Sequence, residues 1–394
     1  AIWDRKRKRL IIINDRYGLK LLYYAVNNGR LLFGPEVKAI LADGSFRKVI
    51  NPAAVSDLFT LRYIQEDKTL FNGVNLLPPA SVLTYEDGRL SIRKYWDWNF
   101  VEDYPNRSED DYVHELSYLL RQAVERRMNG KGSVTVSLSG GIDTRTIIAH
   151  VDRKHFPVTT YTYGMPGCED IRFASLVAAK VGSMHHTIEF GKDPFATIAE
   201  EGAFLGDGML NTAHSQGSTV MPQVAGLSRI DLGGQPGNSL FGDQLAGGRF
   251  FDIYDNRLLS QEVFRSQTRI VPLDEHSLFF APSFYHQIKG VSLETFEKLI
   301  RGAKASLPAN KHNYIDISEQ ERRFVLLGRY LEGSQVEHRV PYYDNDLVDF
   351  MFAVPPHLRL SRRIQIKALI REAPSLARVP YTPTGLPIDA STLK

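Results

Sequence analysis

Val134-Thr135-Val136-Ser137-Leu138-Ser139-Gly140-Gly141-Ile142-Asp143-Thr144 runs a short strand directly into a turn built on two adjacent glycines, with a helix predicted over residues 143–151. Glycine has no Cβ, so such a pair lets the backbone turn sharply and come close to a ligand. Ser139 and Thr144 add hydroxyls to the turn. The first turn of the helix adds N–H groups that have no partner inside it. Together these features suit a phosphate. Asp143 is out of place in a bare anion site, because its carboxylate repels phosphate. It fits if it holds a divalent cation that bridges phosphate oxygens. No lysine follows the glycines, so the segment differs from the Gly-x4-Gly-Lys-Ser/Thr loop. A plain glycine-rich turn with Asp143 as a helix cap is the competing reading, and the repeats downstream weigh against it.

Those repeats continue the same alternation. Residues 158–163 read as a strand, 171–181 as a helix with apolar positions at 171, 174, 177, 178 and 181, and 185–190 and 229–232 as further strands with helices between them. Strands alternating with helices of this length imply an α/β fold, a doubly wound parallel sheet covered on both faces. Ligands of such sheets bind beyond the carboxyl ends of the strands. After about residue 293 the pattern is mostly helical.

Upstream, Leu116, Leu119, Leu120, Ala123 and Val124 line one side of a helix predicted over residues 114–128. Residues 99–111, with Pro105, Asn106 and Ser108, have the composition of a linker, which places a domain boundary there. The expected domains are 1–100 and 101–394. The first hundred residues read as antiparallel. Strands at 21–26 and 31–34 flank Asn27-Asn28-Gly29, and strands at 81–85 and 90–95 flank Asp87-Gly88, both hairpin signals. Pro35 opens a short helix to residue 41, and Asn51-Pro52 caps and opens another to about residue 63. Ala1-Ile2-Trp3 reads as a strand end paired with 10–13. A chain beginning in mid-hairpin is expected to be a fragment, or to have lost its opening residues.

Composition narrows the function. A net charge of +3 over 394 residues is too small to argue for nucleic acid. The cluster Arg5-Lys6-Arg7-Lys8-Arg9 reads as a solvated hairpin tip. Cys168 is the one cysteine, which allows no disulfide within the chain and suits a reducing cytoplasm. No signal peptide is visible, and no apolar run is long enough to span a membrane.

Ser-Gly-Gly-x-Asp-Ser/Thr after an apolar strand resembles the signature of the ATP pyrophosphatase (PP-loop) enzymes, which cleave ATP to AMP and pyrophosphate. Residues 14–24, Asn-Asp-Arg-Tyr-Gly-Leu-Lys-Leu-Leu-Tyr-Tyr, and 33–39, Phe-Gly-Pro-Glu-Val-Lys-Ala, resemble the later half of the glutaminase domain of glutamine-hydrolysing asparagine synthetase. Leu77-Pro78-Pro79 and Tyr95-Trp96 are similar to that domain's exit. Val336-Glu337-His338-Arg339-Val340-Pro341-Tyr342-Tyr343-Asp344 is similar to the family's late Glu-x-Arg-x-Pro-Phe-x-Asp stretch. The resemblance covers nearly the whole chain. It implies an adenine nucleotide alpha hydrolase-like sheet joined to part of an antiparallel N-terminal nucleophile-type glutaminase domain.

The activity it implies is an ATP- and Mg2+-dependent, AMP-forming amide ligase. A carboxylate, by default aspartate, is adenylated so that ammonia, released from glutamine, can displace AMP. A sugar acid or natural-product carboxylate is the alternative acceptor, and a non-catalytic nucleotide-binding relative is the rival class. A tRNA-modifying pyrophosphatase would need a basic face and thiolation cysteines. A homodimer is allowed but not specified. On this resemblance Asp143 holds metal, and Leu138, Ser139, Gly140, Gly141 and Thr144 hold pyrophosphate. Thr162, Tyr163 and Gly164 lie against adenine, and Gly233 and Gly234 open a second loop.

Four departures from the family's pattern stand out. Its nucleophilic cysteine would lie before Ala1, so the chain as given is not expected to hydrolyse glutamine. Its second loop carries a metal-binding aspartate, and here a gap-free register places Asn238 at that position, while a shifted register places Asp243. Its late lysine matches Thr384, with Lys367 as a spare cation or merely a solvated helix residue. A C-terminal piece is expected beyond Lys394. Glu337 and Arg339, with Asp344, read equally as a network beside the substrate or as loop supports, and Arg145 as facing phosphate or solvent. His185-His186 reads as a packed strand end, and Trp96-Asp97-Trp98 as packing at the domain junction.

Overall fold

The computed structural model describes residues 1–130, 132–191, 193–210, 216–333 and 335–390. Seven short strands occupy the first hundred: β1 (Ile2–Asp4), β2 (Arg9–Ile13), β3 (Tyr23–Asn27), β4 (Arg30–Gly34), β5 (Asn75–Leu76), β6 (Ser81–Glu86) and β7 (Arg89–Lys94). They form two antiparallel sheets, ordered β1-β2-β6-β7 and β4-β3-β5. The two expected hairpins close where residues accept positive φ, at Asn28 (50°) and Gly29 (71°), and at Asp87 (49°) and Gly88 (74°). Helices α1 (Val37–Leu41) and α2 (Pro52–Leu61) follow the first hairpin in the chain, and α1 packs on β3 and β4. Asn51 caps α2 by accepting from the Ala53 N–H at 3.1 Å, and left-handed Arg62 ends it. Two-residue β5 was not foreseen, because two residues show no alternation.

Helix α3 (Glu109–Met128) starts five residues before the predicted position, inside the supposed linker. Ser108 and Asp111 form a reciprocal capping box, and three acids in the first turn suit the helix dipole. The linker's polar residues are thus partly a helix start. One of its apolar residues is core: Phe100 is buried and stacks on Phe352 at 4.3 Å.

The chain then builds the parallel sheet. Strand β8 (Thr135–Ser137) leads to α4 (Ile142–Ala149), β9 (Thr159–Gly164) to α5 (Glu169–Val181), and β10 (Met184–Glu189) to α6 (Pro194–Leu205) and α7 (Met221–Leu227). Strand β11 (Ile230–Leu232) precedes the single turn α8 (Gly237–Leu240), and β12 (Glu337–Arg339) returns after a long helical insertion. The order β10-β9-β8-β11-β12, parallel throughout, is that of a doubly wound sheet. Strand β12 interrupts the mostly helical stretch that follows residue 293. Glu-His-Arg has no apolar signal of its own and is a strand only because β11 pairs with it.

Among the described residues the main apolar core spans both parts of the chain, with three smaller clusters beside it. It joins Val136, Leu138, Ile147 and Leu232 around the sheet to Tyr17, Leu61 and Tyr63 of the first hundred residues. No helix among the described residues is long and apolar enough to cross a membrane.

Candidate active site

The glycine turn leaves the carboxyl end of β8, the middle strand. Leu138 is fixed on both sides: its N–H donates to the Tyr161 carbonyl at 2.7 Å, and its own carbonyl accepts from Thr162 Oγ1 at 2.8 Å. Thr144 Oγ1 accepts from the Ser139 N–H at 3.0 Å and lies 3.2 Å from Ser139 Oγ, which accepts from the Gly141 N–H at 3.2 Å. The two hydroxyls therefore pre-shape the loop. The Gly140 N–H donates to Asp170 Oδ1 at 2.9 Å, and the same oxygen accepts from Thr382 Oγ1 at 2.7 Å. A Cβ on Gly140 would fall 1.9 Å from Thr382 Oγ1, so only glycine fits there. Asp170 and Thr382 were not selected from the sequence. In the sequence Asp170 lies just before the helix predicted over 171–181, and only folding brings it over the loop.

Arg145 reaches neither phosphate nor solvent. Its buried guanidinium donates to the carbonyls of Leu376 (3.2 Å), Val379 (2.6 Å), Gly140 (3.2 Å) and Pro380 (2.9 Å). It ties the late stretch to the loop, and burial pulls its pKa down to about 10.

The second glycine loop wraps the head of α4. A Cβ on Gly234 would lie 2.9 Å from Asp143 Cβ, and one on Gly237 would lie 2.2 Å from Asp143 Oδ1. The Gly233 N–H donates to the Arg339 carbonyl at 3.1 Å where β11 leaves the sheet. Both registers of this loop lead to the same place. Arg362 donates to Asp143 Oδ1 at 2.6 Å, to Asp243 Oδ1 at 3.0 Å and to Asn238 Oδ1. The Gln365 side-chain amide also donates a hydrogen bond to Asp143 Oδ1 at 3.0 Å. Burial pulls the Arg362 guanidinium down, but the Asp143 and Asp243 carboxylates outweigh it and hold its pKa above the ordinary value. Three hard oxygens, two of them anionic, converge on one positive group, which is the donor chemistry that a magnesium ion takes. Sequence reasoning missed Arg362, because it lies far along the chain in an unremarkable basic pair.

Behind this cluster, Glu321 is 3% exposed and lies in a π-helical stretch, Asp316–Val325. Such wide turns are frequent at functional sites. Ser239 Oγ donates to Glu321 Oε1 at 2.9 Å, while Oε2 is buried with no partner. Burial, with the Asp143 charge adding to it and the Ser239 bond opposing, pushes Glu321 up to about 7.

Other expected residues lie elsewhere. Lys367 pairs with Glu109 Oε2 at 3.0 Å, on the face toward α3. Thr384 is exposed and bonds to Leu386 within its own turn. Arg339 bonds to Glu337 and to the carbonyls of Arg127 and Asn129, and Asp344 takes Arg126 and Arg127, so all three brace the frame. Cys168 is partly buried, its Sγ filling the space beside Gly164. His185 bonds to Thr160 at 3.0 Å as a packed strand end. Tyr163, Gly217, Gln235, Gly328, Arg329 and Glu332 line a polar cavity of about 190 Å3 beyond β9 and β11.

A middle strand running into a glycine pair, an aspartate heading the next helix and a second glycine loop around it define an α/β protein of the PP-loop type. The chain belongs to the asparagine synthase family, which matches residues 115–380, and residues 1–96 match the glutamine amidotransferase domain. The glutamine-hydrolysing asparagine synthetase 3 of Bacillus subtilis is 33% identical over 169 residues, 41% of this chain and 27% of the relative. Amidase chyE of Penicillium rubens is 24% identical over 95% of this chain and 66% of the relative. The chain thus spans 27% to 66% of the length of these relatives. Among solved structures, the NMN synthetase of Francisella tularensis aligns at 17% identity over 55% of this chain and 97% of that one, with a TM-score of 0.28.

Proposed function

We propose that this chain binds ATP on the turn Ser139–Thr144 and transfers AMP to a carboxylate, which ammonia then converts to an amide. The observation that carries this reading is the meeting of Asp143, Asn238 and Asp243 at the mouth of a glycine loop. A carboxylate resists amine attack until one of its oxygens becomes a good leaving group, and adenylation provides that. Magnesium held by Asp143, Asp243 and Asn238 would supply positive charge where it builds on the departing pyrophosphate. Gly140 and Gly141 would present their N–H groups to the phosphates once those leave Asp170 and Ser139. The polar cavity at Arg329 and Glu332, beyond the ends of two strands, is where the acceptor carboxylate would sit, with aspartate the default from family membership. Ammonia or glutamine is the proposed nitrogen source, in keeping with the match of residues 1–96 to the glutamine amidotransferase domain, and the cytoplasm the proposed compartment, in keeping with a lone cysteine.

Pyrophosphate exchange into ATP across a panel of carboxylates tests this reading. Exchange is expected with at least one acceptor, and Asp143→Ala should lower it at least a hundredfold, the order lost when one stabilising group of a transition state is removed. A second reading, a nucleotide-binding relative without catalysis, draws on neutral Asn238 and exposed Thr384. Tight ATP binding by calorimetry with no exchange for any carboxylate would favour it.

A further inference from the structure

Arg362 is placed with unusual determination. Its side chain is 11% exposed, and it reaches all three oxygen donors of the proposed metal site at once. The backbone that aims it is strained: Ser361 and Arg362 both lie in the left-handed region, with φ of 50° and 61°. Non-glycine residues persist there only when their surroundings over-determine them. Among the described residues no other cation pairs with Asp143 or Asp243. The site is also more negative than one guanidinium balances, since two carboxylates, Asp143 and Asp243, share it.

We propose that Arg362 is a resident counter-ion of the metal site: it holds Asp143, Asn238 and Asp243 together while no divalent cation is bound, and a cation enters only as it withdraws. This rests on the reading of those three residues as metal ligands. Two positive groups cannot share one set of oxygens, so the arginine makes free magnesium a poor ligand. A metal–nucleotide complex brings its own phosphates, which give the displaced guanidinium a new anionic partner suited to its fork. The cation then arrives with the nucleotide, and the site stays neutralised in between. Arg362 is in this account a positioning residue, acting through the carboxylates.

The test needs no turnover. Binding of Mn2+ and Mg2+ without nucleotide is measured by calorimetry, and thermal midpoints with and without each ion, for wild type, Arg362→Ala and Arg362→Lys. Arg362→Ala is expected to melt lower than wild type in chelator, to be restored by either ion, and to bind Mn2+ at least about tenfold more tightly, within the usual range of coupling between sites. Arg362→Lys keeps the charge and should reject the free ion as wild type does. A folded Arg362→Ala whose Mn2+ affinity is no higher than wild type overturns the proposal, and Arg362→Gln carries the same criterion if the alanine variant does not fold. Tighter Mn2+ binding by the variant, with no ATP binding by wild type, would instead sink the nucleotide reading and leave the counter-ion standing.

Discussion

Glu321 shows how one buried side chain makes stability depend on pH. Its folded pKa of about 7 lies above the ordinary 4.5, so the folded state holds the proton more tightly than the unfolded chain. Its contribution is therefore fully present below about 4.5 and is lost as pH rises through about 7. Buried Asp316 and Glu319 are pushed up as well, so the wild-type slope is shared. The difference from Glu321→Gln isolates one group. Little separation in melting temperature is expected near pH 4.5, and the glutamine variant should gain on wild type as pH rises to neutrality. Parallel melting curves for the two proteins across that range would refute the assignment.

At the scale of elements, the site is two loops closed on one helix start. The approach is so close that Gly237 has no room for a methyl group: its Cβ would sit 2.2 Å from the Asp143 carboxylate. Gly237→Ala must push either α8 or the Asp143 side chain aside. ATP affinity measured by calorimetry is expected to fall at least about tenfold, and the overpacking to cost ~1–3 kcal/mol of stability. Unchanged affinity would mean that the second loop is not part of the nucleotide site. The Cβ that Gly140 lacks marks the other contact, where the late stretch lies on the phosphate loop and buried Arg145 pins it.

Across the whole molecule, the first hundred residues and the sheet are joined through the π-helical stretch that also carries Glu321. Buried Arg323 donates to the Ile64 carbonyl at 2.7 Å and to that of Lys68, Arg322 donates to the Glu66 carbonyl at 2.8 Å, and Glu319 accepts from the Glu66 N–H at 2.7 Å. Removing Arg323 strands the buried Ile64 carbonyl and the partly buried Lys68 carbonyl, at ~1–3 kcal/mol for each group left unpaired. Arg323→Ala is expected to lose about 2–4 kcal/mol in urea unfolding on that basis. A loss below 0.5 kcal/mol, typical of surface changes, would show that this joint carries no load.

The order of strands and helices, the phosphate turn and its aspartate could be read from residues 134–232, because each depends on neighbours in the chain: alternation, adjacent glycines, a cap. The hairpins at Asn28-Gly29 and Asp87-Gly88 were legible for the same reason, since positive φ is a property of the residue itself. Strand β12 was not, because Glu-His-Arg is extended only where β11 offers it hydrogen bonds. Nor was the start of α3, hidden in a polar run that capping turned into helix. Arg362, Asp170 and Thr382 became site neighbours through folding alone. Charge pairing acts across space, so which cation meets Asp143 was settled by the tertiary structure, which sent Lys367 to Glu109 and brought Arg362 to the loop.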